Sequence, residues 1–197
     1  MKTLEYLTFT FLVIMCFAPL QVVVAYDATL SLGNLCEYIG KIQTDDSGGT
    51  NFCGLDPYLS TSIDYTLPNQ IILSPELGFS FPKSGRDQNI SKNSFIALLN
   101  AKYKLSMFQA IAGAGLFISR ISGSGGTQDL NNGNSTISFP MPESTVYSRN
   151  FIINIGMGVE INPVWSADLH TYIFNIVTSE DRAFTVAING TYHFGEF

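Results

Sequence analysis

The sequence predicts an all-β chain folded as an eight-stranded antiparallel up-and-down transmembrane β-barrel. Three observations predict it. Segments that alternate apolar and polar residues recur along the chain, and several run to 12 residues or more. A tilted strand needs roughly 9–11 residues to cross a bilayer. The polar faces of these segments carry Glu76, Lys102, Lys104, Glu160 and Asp168, although only 13% of the chain is charged, about half the usual ~25%. Tight connections also alternate with long polar ones, as they do when short turns lie on one side of a membrane and long loops on the other.

Residues 1–25 read as an export signal: Lys2 at the start, an apolar core from Leu12 to Ala18, and Val23-Val24-Ala25 before Tyr26-Asp27. Glu5, Thr8, Thr10, Pro19 and Gln21 interrupt the run, which disfavours an anchoring helix. Met15 is too bulky for lipoprotein processing at Cys16. The barrel domain is then 26–197. Its first strand starts near Asp27, with Ala28, Leu30 and Leu32 set against Asp27, Thr29, Ser31 and Gly33. The following connection, rich in Asp, Gly and Thr, carries Cys36 and Cys53 near its ends. In an exported chain with two remaining cysteines this is a candidate disulfide, with free thiols as the alternative.

The second segment, 56–67, sets Leu59, Ile63, Tyr65 and Leu67 against Tyr58, Ser60, Ser62 and Asp64. The third, 70–82, sets Ile71, Leu73, Leu77, Phe79 and Phe81 against Ser74, Glu76, Gly78 and Ser80, and Pro75 predicts a local bulge. The fourth, 94–105, has Phe95, Ala97, Leu99, Ala101, Tyr103 and Leu105 opposite Ser94, Asn100, Lys102 and Lys104, with Ile96 and Leu98 as apolar exceptions. The fifth, 107–122, is too rich in small residues for its facing to be assigned. The sixth, 149–162, places Phe151, Ile153, Ile155, Met157, Val159 and Ile161 against Asn154, Gly156, Gly158 and Glu160. The seventh, 165–178, puts Trp165, Leu169, Ile173 and Val177 opposite Ser166, Asp168 and His170. The eighth, 183–194, aligns Phe184, Val186, Ile188, Tyr192 and Phe194 against Thr185, Asn189, Thr191 and His193.

Connections near 67–70, 105–107 and 162–164 are tight; those at 83–93 and 123–148 are long and rich in Gly, Asn and Ser. The even strand number puts both termini on the turn side, the periplasmic one for an exported barrel. A soluble sandwich or lipocalin-like barrel also alternates. Strand length, charge on the inner faces and aromatic residues near strand ends favour lipid. The net charge of −6 and the lack of a Lys/Arg cluster exclude nucleic acid as a partner class.

The hairpin pattern, Ala112-Gly-Ala-Gly-Leu-Phe117, Asn154 to Trp165 and the closing Ile188 to Phe194 resemble the small Gram-negative outer-membrane barrels: the OmpA transmembrane domain and its OmpX- and OmpW-like relatives. The resemblance covers 27–197. It implies residence in the outer membrane among its lipids. It also implies insertion by the barrel-assembly machinery through a terminal aromatic, for which Tyr192, Phe194 and Phe197 are candidates. Phe197 is out of phase unless a bulge intervenes.

Function has few carriers. An eight-stranded barrel is filled by side chains, so Glu76, Asn100, Lys102, Lys104, Glu160, Asp168, His170 and His193 are expected to form a polar lumen plug. Within it, Glu76 is expected near Asn100 and Lys102, and Asp168 near His193. Breaking a Glu76–Lys102 pair would open a narrow path, which is the channel or transporter alternative. No cofactor is expected, and His170, His193 and Asp168 lack metal-site spacing. No enzyme is expected: His170 has no His-x-Ser context, and His193 lies on the wrong side for lipid A. The Asn-x-Ser/Thr triplets at Asn89, Asn134 and Asn189 carry no meaning in a bacterial barrel. The expected role is structural, in the envelope, with the 123–148 loop available to an extracellular ligand.

Overall fold

The structure is a computed structural model that describes residues 25–36, 55–67, 70–84, 90–131, 136–140, 142–177 and 182–196. Among the described residues eleven strands are present, β1 (Ala25–Cys36), β2 (Pro57–Thr66), β3 (Ile71–Ser80), β4 (Lys83–Ser84), β5 (Ile90–Leu105), β6 (Phe108–Gly123), β7 (Thr127–Asn131), β8 (Thr136–Pro140), β9 (Val146–Asn162), β10 (Trp165–Phe174) and β11 (Ala183–Glu196). Eight of them form the wall. The order β3-β2-β1-β11-β10-β9-β6-β5 closes through β3–β5 pairing, and every pairing is antiparallel. Closure leaves no sheet edge within the wall, as a lipid surface requires. Among the described residues there is no helix.

The facing read from the alternation holds. On β9, Ile155, Met157 and Ile161 are exposed while Asn154 is fully buried. On β5, Phe95 and Leu99 point out and Asn100 points in. The outward residues form an apolar belt, with Leu30, Leu32, Ile63, Leu77, Leu116 and Ile188 all exposed. Aromatic clusters bound it. Phe79 lies against Phe81 and Phe95 at the loop end, and Tyr192 against Trp165 and Phe194 at the turn end. From Phe95 to Tyr103 the strand runs ~27 Å at about 3.4 Å per residue. A tilt of about 40° reduces this to ~20 Å of membrane thickness, close to the ~25 Å apolar band of such barrels.

β6, whose facing the sequence left open, turns Gln109, Ile111 and Phe117 inward and Phe108, Ala110, Ala112 and Leu116 outward. Two-residue connections fix register on the turn side: Leu105 pairs with Phe108 around Ser106, which adopts φ 59°, and Trp165 pairs with Asn162. The Asn162 carboxamide oxygen caps the second of these turns by accepting from the backbone N–H of Val164 and Trp165, both at 2.9 Å.

Three expectations are corrected. Pro75 makes no bulge: the β3–β5 register runs through it unbroken. On its β2 side the ladder lacks the Ile63 and Asp64 pairings but resumes in the same register. A missing N–H removes ladder hydrogen bonds without adding a residue. The seventh segment ends at Phe174, where Asn175 turns at φ 50°, so Val177 lies outside the wall. The long connection expected at 123–148 contains two strands, β7 and β8, which pair as a separate two-stranded sheet.

β5, β6 and β9 continue past the wall on the loop side, with pairing as far as Ile90–Gly123 and Ile121–Val146. β10 reaches only Ile152 of β9. Because the β7–β8 sheet pairs with no wall strand, deleting 126–140 and joining the ends through a short Gly/Ser linker should leave the barrel folded. Heat-modifiable migration on gels checks this, and its loss in the deletion variant would contradict it.

Candidate functional site in the barrel lumen

The inward residues of the eight strands stack in layers. Towards the loops, below a buried polar set of Ser80, Ser94 and Ser119, lies an apolar layer of Leu35, Tyr58, Ile96, Leu98, Phe117, Ile152, Tyr172 and Phe174, all buried. Phe117 and Phe174 pack edge to face at 5.0 Å. Ile96 and Leu98, the exceptions in the fourth segment, are therefore inward by parity and apolar because they belong to this layer.

Beneath it a hydrogen-bonded chain crosses the lumen. Tyr58 donates to Glu76 Oε1 at 3.1 Å, Asn100 Nδ2 donates to Glu76 Oε2 at 2.9 Å, and Asn154 Nδ2 donates to Asn100 Oδ1 at 2.9 Å. Asn154 Nδ2 also lies 3.0 Å from His170 Nδ1, so the His170 proton sits on Nε2. A carboxylate buried without donors would be costly. Here Glu76 has one donor on each oxygen.

One layer lower, Lys102 Nζ pairs with Asp64 Oδ2 at 2.8 Å, while Ser62 and Ser74 donate to Asp64 Oδ1 at 3.0 and 2.6 Å. The expected Glu76–Lys102 pair is thus replaced: Glu76 stands opposite Leu98, Asn100 opposite Ser74 and Lys102 opposite Ile72. The slip is two residues, which keeps the facing and changes the partner. Asp168 is likewise opposite Asn189, not His193, and accepts from Thr191.

The lowest layer holds the two remaining groups. Glu160 receives Lys104 Nζ at 2.6 Å and Gln109 Nε2 at 3.1 Å. His193 Nδ1 lies 2.7 Å from Asp27 Oδ2, and its Nε2 lies 3.0 Å from Ser166 Oγ. The Asp27 carboxylate only accepts, so it fixes the ring proton on Nδ1 and leaves Nε2 to accept from the serine. Below this layer a vestibule of about 1040 Å³ opens at the turn end, lined in part by Asp27, Asp64, Lys104, Gln109, Glu160 and His193.

Sequence reasoning missed Asp64, Ser166 and Asp27 as members of the lumen network. The signal was present, since each lies on the inward phase of its strand. Cys36 ends β1 and is disulfide-bonded; its expected partner Cys53 lies outside the described residues, as do residues 1–24 of the expected leader and Phe197. Near the C-terminus the β1–β11 register shifts between Asp27 and Thr29, and Gly195 takes φ 100°. This is the bulge on which the phase of Phe197 was expected to depend.

The closed eight-strand wall matches solved membrane barrels. Ail, the attachment invasion locus protein of Yersinia pestis, aligns over 86% of this chain and 98% of its own at a TM-score of 0.50 and 8% identity. The fold is that of the small outer-membrane β-barrels. The N-terminal barrel domain of Pseudomonas aeruginosa OprF (11% identity, 86% of this chain and 97% of that one, TM-score 0.45) is also similar. So is Neisserial surface protein A (11%, 85% and 95%, TM-score 0.46). No protein-family model matches the sequence, and no curated protein matches it. For an outer-membrane barrel of this size the layers described here amount to a filled interior, with open volume at the turn end.

Proposed function

We propose that this chain is a plugged, non-conducting outer-membrane protein that presents its loop side for recognition. The observation that carries the first half is the apolar layer. With Phe117, Tyr172, Phe174 and Ile152 buried across the loop end, water and ions have no polar path through it. The expected gate at Lys102 lies below this layer, so releasing Lys102 alone does not connect the two sides. Reconstituted into planar bilayers, the protein should show no unitary conductance steps, and Lys102→Ala should show none either. Steady steps from the wild-type protein would overturn the reading in favour of the channel alternative.

The extension of β5, β6 and β9 supports the recognition half. Residues 146–151 of β9 are mostly exposed and, among the described residues, are paired on their β6 side only. An extended segment of a partner could add to such an edge through main-chain hydrogen bonds. In this reading the leader at 1–25 directs export, Tyr192, Phe194 and Phe197 serve assembly, and the 123–148 region contacts an extracellular ligand.

A further inference from the structure

We propose that Ser166, His193 and Asp27 form a hydrolytic triad that opens to the turn-side vestibule and cleaves small carboxylic esters. The geometry is that of an activated serine. A carboxylate oxygen lies 2.7 Å from one ring nitrogen, and the serine oxygen lies 3.0 Å from the other, nearer than the 3.4 Å from the same hydroxyl to Asp168 Oδ2. Three strands supply the three groups, β10, β11 and β1, and those strands are consecutive around the wall.

Two further observations separate this cluster from the other polar contacts of the lumen. The wall shows two register shifts among the described residues, and both adjoin the triad. One falls between Trp165 and Ser166 on β10, and the other lies opposite Asp27, where Gly195 turns at φ 100°. Bulges re-aim side chains and recur beside active sites. The second also holds the carboxylate, because the Gly195 N–H donates to Asp27 Oδ1 at 3.0 Å, leaving Oδ2 for the histidine. The other observation is access: His193 and Asp27 line the vestibule, as do Lys104 and Glu160, and Ser166 meets it through its contact with His193, whereas Glu76, Asn100, Asn154 and His170 do not line it.

The step runs as follows. Ser166 Oγ attacks the ester carbonyl carbon while its proton passes to His193 Nε2. The C–O bond to the alcohol then breaks, and the alkoxide leaves with that proton. Water, deprotonated by His193, attacks the acyl carbon; the C–Oγ bond breaks, Ser166 Oγ takes the proton back from His193 Nε2, and the acid leaves. Asp27 is a positioning residue that holds the ring tautomer and balances the transient imidazolium. Ser166 is 4% exposed, so only a small acyl group reaches it. The acidic lining of the vestibule favours neutral or cationic esters.

The test uses the full chain folded into phospholipid vesicles, with folding verified by heat-modifiability. Diisopropyl fluorophosphonate should label the folded protein by displacement of fluoride, and peptide mass mapping should place the adduct on Ser166. Ser166→Ala should abolish that adduct. His193→Gln should slow both labelling and 4-nitrophenyl acetate hydrolysis by roughly 10³-fold or more, and Asp27→Asn by about 10²-fold or more. The decanoate ester should not be cleaved. Absence of a Ser166 adduct on the folded wild-type protein overturns the proposal. So does Ser166→Ala hydrolysing acetate at the wild-type rate. If Ser166→Ala fails to fold, the position of the wild-type adduct decides by itself.

Discussion

Lys102→Met should destabilise the barrel by about 3–5 kcal/mol, the usual cost of leaving one partner of a buried pair uncompensated. The side chains of Lys102 and Asp64 are 12% and 9% exposed, and their contact is 2.8 Å. Asp64 keeps its donors from Ser62 and Ser74 but loses its ion pair with Lys102. The double variant Lys102→Met/Asp64→Asn should recover most of the loss, since both charges are then gone. The matched control is Lys104→Met. Its partner Glu160 lies at the vestibule rim, and with exposures of 47% and 29% the pair is screened by water, so about 0–1 kcal/mol is expected. Urea unfolding of the vesicle-inserted barrel measures all three. Equal losses for Lys102→Met and Lys104→Met would contradict the layering.

Gly115→Ala should prevent folding or cost more than about 3 kcal/mol, beyond the usual overpacking range because the obstruction is backbone. Gly115 faces the lumen on β6, opposite Leu98 of β5 and Ile152 of β9. A Cβ there would collide with the Ala97 carbonyl oxygen of the adjacent strand, and a carbonyl cannot rotate away as a side chain can. Gly190 is the control. It faces outward on β11, and an added Cβ would have the Leu32 carbonyl oxygen 3.9 Å away. Gly190→Ala should therefore stay within about 0.5 kcal/mol of wild type. The fraction migrating as the compact form on unheated gels reports both, and normal folding of Gly115→Ala would contradict the inferred contact.

All eight wall strands were legible in the sequence, and alternation assigned the inward faces of seven, because a side-chain period of two is a local property. The exception is instructive. In β6 alanines and glycines fill both faces, so hydropathy carries no contrast, and facing emerges only when β5 and β9 pair with it. Partners across the lumen were less legible than faces. The β3–β5 register is set around the 83–93 connection, whose length fixes nothing, and a slip of two residues keeps Glu76 inward while exchanging Lys102 for Asn100 as its partner. Where the connection is tight, as at Ser106, register follows from the turn itself. Ser166 and Asp27 were legible as inward residues. Their meeting at His193 was not, since it needs the first and last wall strands, β1 and β11, to pair with each other.

The layering also gives the molecule a direction. Its interior is a cup with a dry floor beneath the loops and a wet mouth at the turns. Solvent deuterium and small reagents supplied at the turn side should therefore reach the Asp27–His193 level, while the same solutes supplied at the loop side stop at Phe117 and Tyr172. On the proposed plugged reading, the lumen samples the solution on the turn side alone while the loop-side extensions of β5, β6 and β9 face the other, so a single small barrel keeps two separate surfaces on two separate solutions.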